Sequence, residues 1–506
     1  MGMRKGSWAG VLACVAALSA PVSRAVEASA AAGPMPEELR GYFEQAFAAE
    51  QISDPAARCR AYPDLPGNVW PANAGPGRCT LQRETAPSLA ELERLLDGPG
   101  GPTALDVRMK ALLKANYDDP GQRDVIFDAF RRILADDRDG RFATRWLRAA
   151  PDSAFAQLAM GQYRADQGWD ARGSEFMAKT SLAQQQRMGQ HFAAAVPLLA
   201  RALESEPTLS PACTQLAAIG RQSSDMLQKA VLPRCLEMDP TSFFVVEELV
   251  VASKPKWGGS MQALAATADY IREHGVQNPE LYVHLGEVLR YGRTEHKTYA
   301  EAREAYEDLA AAAPDATILE GAAYGQAAGD RWRSLMYMSQ AMRFQPTNAK
   351  TRRSRAYWWI DLRQWKWAEI DYAWLAKTGQ ADARDLHNLG VALLELGRPV
   401  EAQQPLRAAL AMPNVFEGTP VSLCQAVIYS LSQLDEQEMR DCTARLVADE
   451  PRNPQYWIWR TGVMEFLEDR AGAEEALAHF RKVADLDDPE HLDFLRSVTS
   501  WLRRPE

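Results

Sequence analysis

The chain has 506 residues, a formal net charge of −10, 46% hydrophobic residues and 25% charged residues. That composition is ordinary for a folded chain and excludes disorder throughout. The acidic balance argues against a nucleic-acid partner, whose phosphates require clustered Lys and Arg.

Residues 1–30 read as a cleaved signal peptide. Arg4 and Lys5 form a short basic start, Trp8 to Ala20 is uncharged and apolar, and Ser23-Arg24-Ala25 or the better Ala28-Ser29-Ala30 offers a cleavage site. The apolar run is too short for a permanent anchor. Val11-Leu12-Ala13-Cys14 loosely resembles a lipoprotein box, but Leu12 suits that pattern poorly and the apolar run continues past Cys14, so lipidation is not expected. No later segment has eighteen consecutive apolar residues, so no transmembrane segment is expected in the mature chain. The Ala- and Arg-rich composition points to a bacterial protein of the periplasm, or a secreted one.

Residues 31–100 form an N-terminal segment. A helix is expected around Glu37–Glu50, then a loop with Pro55, Pro63, Pro66, Pro71 and Pro76. Ser88-Leu-Ala-Glu91 is a capping box opening a short helix to Leu96, and Gly98-Pro-Gly-Gly-Pro102 marks a boundary. From Thr103 onward apolar residues recur at three- and four-residue spacing, broken by Pro-Asp, Asp-Pro and Gly-Asp, with no alternating strand pattern.

Residues 101–278 read as a divergent helical repeat domain. Leu158, Met160 and Gly161 suit a first helix, and Ala195, Leu199, Ala202 and Pro207 a second. About twenty extra residues lie between them, including Gly168-Trp-Asp-Ala-Arg-Gly173. A hairpin from Pro211 to Pro240 follows, and Lys256-Trp-Gly-Gly-Ser260 precedes another helix.

Residues 279–490 carry the strongest signal, a period of 34: Ala341 to Leu375 to Ala409, Ala356 to Gly390, Ala368 to Ala402, Tyr372 to Leu406. The clearest copy is Leu386-His-Asn-Leu389-Gly390 with Ala402, Leu406 and Ala409; others have Tyr282, Leu285, Gly286, Ala302, Tyr306, Leu309 and Pro314, or Gly462, Ala476 and Phe480. Gly and Ala let antiparallel helices approach while larger side chains interlock, and one hairpin cannot bury its apolar face alone. Period and pattern resemble the tetratricopeptide-repeat superfamily. The resemblance implies an all-α, right-handed solenoid of stacked helix-turn-helix repeats, about six of them in 279–490. Residues 491–506 would form a C-terminal capping helix. The two short motifs, from near Pro151 to near Asn278, resemble a bacterial repeat-associated domain family of unknown function, which adds a label and little mechanism.

Catalytic signatures are absent. None of the seven histidines has metal-ligand spacing, and there is no G-x-S-x-G elbow, phosphate-binding G-x-x-x-x-G-K or C-x-x-C. No catalytic residue, metal or cofactor is expected. Trp169, Asp170 and Arg172 could hold a polar ligand, but the plainer account is an Asp–Arg pair pinning a loop over a packed Trp. Trp257 and Ser260 could flank an anion site at a helix start; a tight turn with Ser260 as N-cap and Trp257 as a plug is the plainer account. Among Tyr357, Trp358, Trp359, Trp365, Trp367, Tyr372 and Trp374, Trp359 and Tyr372 fall at buried repeat positions and Tyr357 on the inner groove. Arg290, Arg353, Tyr357, Arg384 and His387 fall near the inner face of first helices, where they would suit an acidic segment or a chain-terminal carboxylate. A solvated charged face is the plainer account of them.

Beyond Cys14 there are six cysteines in three local pairs: Cys59 and Cys79, Cys213 and Cys235, Cys424 and Cys442. In an exported chain these imply a disulfide framework. Cys213, early in one helix, and Cys235, late in the next, face each other across an antiparallel hairpin. Cys424 and Cys442 are placed similarly, and Cys59 and Cys79 bracket the Pro/Gly-rich loop. The expected function is a non-catalytic scaffold holding a protein or peptide in the cell envelope. The alternatives are an envelope-acting enzyme with its site in the 165–190 insertion, or a structural part of an envelope or secretion assembly.

Overall fold

The computed structural model describes residues 34–81, 86–175, 177–430 and 435–504. The signal-peptide reading, with Cys14, lies outside the described residues. Among these residues there are 26 α-helices, four short 3-10 turns and no strand. No described helix is long and apolar enough to cross a membrane. The fold is all-α, built from helix-turn-helix hairpins.

The hairpin Ala383–Glu395/Pro399–Leu410 shows why these residues form it. Asp382 and Asp385 make a reciprocal capping box at its start. Gly397 takes a positive φ of 72° in the turn, and Pro399 opens the second helix, where its missing N–H costs nothing. Leu389, Gly390 and Leu393 of one helix then meet Ala402, Leu406 and Ala409 of the other, all buried. A Cβ at Gly390 would lie 2.4 Å from the Leu406 Cγ, so the close approach requires glycine there.

The chain divides into two compact units. One gathers Pro36–Gly329 with Ser339–Pro346; the other gathers Asp330–Met338 with Thr347–Glu506. The division falls near residue 330, and the helix Arg331–Phe344 contributes to both units. Residues 279–490 contain six helical hairpins, from Tyr282–Arg290/Arg303–Ala312 to Pro454–Phe466/Arg470–Val483. The final helix, Pro489–Leu502, lays Phe494, Leu495, Val498 and Trp501 on the core of the preceding hairpins, with Phe494 edge-on to Phe480 at 5.1 Å.

Two expectations are corrected. The twenty extra residues near 165–190 are not an inserted loop. They lengthen a helical pair: Ala154–Arg172 runs through Trp169 to Arg172, and Leu182–Ser205 answers it with 24 residues. Nor is the Pro/Gly-rich stretch after Glu50 a loop throughout. It contains the short helices Pro55–Ala61 and Ala74–Thr80, which carry Cys59 and Cys79, and it is strapped onto the repeats. Trp70 donates its indole N–H to the Ala310 carbonyl at 2.8 Å, and Val69 N–H bonds the Ala311 carbonyl at 2.8 Å. Thr80 bonds the Glu280 carboxylate, and Arg343 donates to the Cys59 carbonyl and the Asp64 carboxylate. The Ser88–Glu91 capping box opens Leu89–Asp97.

Candidate partner-binding face

Four of the five groove residues lie in the unit containing Thr347–Glu506, on two first helices one repeat apart, Ala349–Asp361 and Ala383–Glu395. Arg290 belongs to the other unit, half-buried and near Asp315. Arg353 is not free for a partner. Its Nε donates to both Asp385 oxygens, at 3.0 and 2.8 Å, and its Nη2 to the Gln380 carbonyl at 2.8 Å. Asp385 is 2% exposed, and burial raises its pKa despite that partner. This pair fastens one repeat to the next.

Tyr357 and Arg384 are the free members. Tyr357 is 44% exposed, Arg384 is exposed, and neither has a hydrogen-bond or ion-pair partner among the described residues. The Arg384 guanidinium carbon lies 5.2 Å from the ring centre of Phe416, a cation–π arrangement that holds it open to solvent. His387 packs on the same ring at 4.6 Å and is 6% exposed. Burial, then the Arg384 charge, pull its pKa down to about 4, so the imidazole is neutral at physiological pH. Its Nδ1 has no hydrogen-bond partner, and neither has the fully buried hydroxyl of Thr419, which starts the next first helix. Phe416 was missed from sequence because it sits in the connection before Thr419–Tyr429, outside the repeat pattern.

The aromatic cluster is mainly packing. Trp359 and Tyr372 are buried, and Trp359 meets Trp332 and Trp367 edge-on at 6.2 and 4.5 Å. Beside them Asp371 accepts from both Arg352 and Arg355, all three buried, and Arg352 lies 4.5 Å from the Trp374 ring centre.

In the other unit the two short motifs converge. Arg172 lies 5.7 Å from the Trp257 ring centre, and Arg221 lies 4.5 Å from Trp257 and 5.7 Å from Trp169. Arg221 also holds Glu248 in a bidentate ion pair, both side chains under 10% exposed. The expected Asp170–Arg172 pair is not formed: Arg172 bonds Gln222 at 3.0 Å and the Gly173 carbonyl at 2.9 Å, while Asp170 is exposed. The last helical turn points the two side chains apart, and Gln222 supplies the acceptor. Ser260 accepts from Ala263 N–H as an N-cap. A Cβ at Gly259 would sit 2.1 Å from the Ser253 carbonyl oxygen, so this motif is constrained by backbone packing.

Cys59–Cys79, Cys213–Cys235 and Cys424–Cys442 are bridged, with Cα separations of 5.4, 5.6 and 5.4 Å. Among the described residues no group of three or more His, Cys, Asp or Glu side chains is arranged to hold a metal.

No protein-family model and no curated protein sequence matches the chain. Solved structures do align with it. YrrB, described as a TPR protein with an unusual peptide-binding site, aligns at 15% identity over 39% of this chain and 97% of its own, with a TM-score of 0.33. The TPR domain of P58(IPK) aligns at 14% identity over 78% and 98%, with a TM-score of 0.21. Yeast Tom70 aligns at 9% identity over 79% and 93%, with a TM-score of 0.27. These superpositions are geometrically loose, and the assignment to stacked helical hairpins rests on the hairpins themselves.

Proposed function

We propose that this chain is an exported, non-catalytic scaffold that holds an acidic protein segment, or a chain-terminal carboxylate, on the face formed by Tyr357, Arg384, His387 and Phe416. The observation that carries the reading is Arg384: an exposed guanidinium without a counter-ion, held over an aromatic ring beside a buried imidazole whose Nδ1 lacks a partner. A carboxylate supplies the counter-ion that the exposed Arg384 guanidinium lacks, and charge-assisted hydrogen bonds are the strong ones. Tyr and Arg are also side chains on which interface energy concentrates. The apolar run of residues 8–20 and three bridged cysteine pairs support an oxidising envelope compartment, the periplasm of a bacterium.

The test is binding of labelled peptides to the full chain by fluorescence anisotropy. An acidic peptide with a free C-terminus should bind more tightly than its amidated form or a Lys-substituted form. Arg384→Glu should weaken it about tenfold or more, roughly 1.4 kcal/mol, with the helical spectrum unchanged. Undiminished binding in Arg384→Glu overturns the assignment. Arg353→Glu is the wrong probe, since it would leave Asp385 buried against a second negative charge.

A further inference from the structure

We propose that the groove along the hairpin Thr419–Tyr429/Glu436–Asp449 is a second docking site, of opposite polarity, for a short basic segment of a partner protein in which cationic and aliphatic side chains alternate. It is independent of the Arg384 face and shares no residue with it.

The groove encloses about 410 Å³. Its floor is apolar, lined by Leu410, Pro420, Leu423, Val427 and Leu446, with the Cys424–Cys442 bridge among them. Leu423 and Val427 are four residues apart, so one face of Thr419–Tyr429 supplies that wall. The facing wall is charged: Asp435, Glu438, Asp441 and Asp449 stand against a single cation, Arg445.

About half of that negative charge is uncompensated. Glu438 is paired with Arg407 at 2.6 Å. Asp435 accepts from the Glu438 N–H, and Asp441 from the Gln437 amide at 2.8 Å, both neutral donors. Asp435, Asp441 and Asp449 are exposed and make no ion pair among the described residues, with Arg460 within electrostatic reach of Asp441 alone. A solvated acidic strip alone would need no ligand. Here it edges an apolar trough, and the two together specify the occupant.

The spacing specifies its conformation. The unpaired carboxylates Asp435, Asp441 and Asp449 lie six and eight residues apart, roughly 9 and 12 Å along the helix axis. In an extended chain every second side chain points the same way, roughly 7 Å apart. An extended segment of about six residues would therefore lay its Lys or Arg side chains along the acidic wall and its aliphatic ones on the floor. The long cationic side chains, reaching outward on flexible stems, take up the difference of several ångströms.

The test uses the full chain and three labelled hexapeptides, alternating Lys-Leu, Gln-Leu and Glu-Leu, read by fluorescence anisotropy at low and high salt. The Lys-Leu peptide should bind at least about tenfold more tightly than the Glu-Leu peptide, and added salt should weaken it. Asp441→Asn with Asp449→Asn, both at exposed positions, should cut that affinity about fivefold and flatten the salt dependence. Arg384→Glu should leave it unchanged, which separates this site from the first. Equal affinity for Lys-Leu and Glu-Leu overturns the proposal, as does full affinity in the double variant or loss of binding in Arg384→Glu. Sedimentation of the peptide-free chain is the last arm. Self-association abolished by the same two substitutions would make a second copy the occupant and overturn it too.

Discussion

Several carboxylates are buried among the described residues, and Asp124 is held from several sides. It is 3% exposed and adopts a left-handed backbone at φ 64°. It accepts from the Ser242 hydroxyl and the Phe243 N–H at the start of Phe243–Ser253. Its own N–H donates to Asn116, whose amide donates in turn to Asp239 at 2.9 Å. Burial pushes Asp124 up to about 8 and raises Asp239 as well. The folded chain therefore holds a proton on Asp124 between roughly pH 4, where an unfolded Asp titrates, and pH 8. The resulting stability is complete below that window and is lost as pH rises through it. Asparagine reproduces the protonated group: its oxygen still accepts from the Phe243 N–H, and its amide donates to the Ser242 oxygen once that hydroxyl rotates away. Asp124→Asn should therefore match the parent near pH 4 and exceed it increasingly as pH rises, with the gap wider by on the order of 2 kcal/mol at pH 8 than at pH 6. Denaturant midpoints across these pH values check this; parallel curves for parent and variant would show that Asp124 is ionised in the folded chain.

At the scale of helices, the glycines test the packing. Gly390→Leu should cost roughly 1–3 kcal/mol or more, because Leu406 is fully buried and cannot swing aside. Gly189 is the control: it is exposed on Leu182–Ser205 with nothing within 4 Å of an added Cβ, so Gly189→Ala should stabilise by roughly 0.5–1 kcal/mol. Thermal unfolding of both variants separates the two effects, and a mild Gly390→Leu would show that the helices part easily there. The register behind this prediction was legible because Gly, Ala and Leu recur every 34 residues, and a hairpin that must bury one face leaves few other readings. The site was legible only in part. Tyr357 follows from its repeat position, but Arg353 does not: its partner Asp385 is 32 residues away on the next repeat, and periodicity does not say that two polar positions touch. The same holds for Asp371 under Arg352 and Arg355, and for Arg221 between Trp257 and Glu248. Phe416 and the strap around Trp70 lie in irregular chain, where only tertiary contact decides the structure.

Over the whole molecule the covalent framework is local. Each bridge closes a loop of 18 to 22 residues. Cys59–Cys79 and Cys213–Cys235 belong to one compact unit and Cys424–Cys442 to the other, so no bridge joins the two. Loops of that length restrict the unfolded chain by roughly 3 kcal/mol each. Access to reductant differs sharply. Cys59, Cys79, Cys213 and Cys235 are completely buried, whereas Cys442 is partly exposed and, with Cys424, lines an open groove. A thiolate must reach a sulfur to exchange with it. Under a graded series of mild reductant, alkylation should therefore mark Cys424 and Cys442 first, while the four buried cysteines stay protected until their unit opens. Peptide mapping by mass spectrometry reads both the pairing and the order. Cross-links between different pairs would refute the local framework. Early labelling of Cys59, Cys79, Cys213 or Cys235 would show that local opening of the strap or of the hairpin Ser210–Ser223/Asp225–Met238, rather than static burial, governs access.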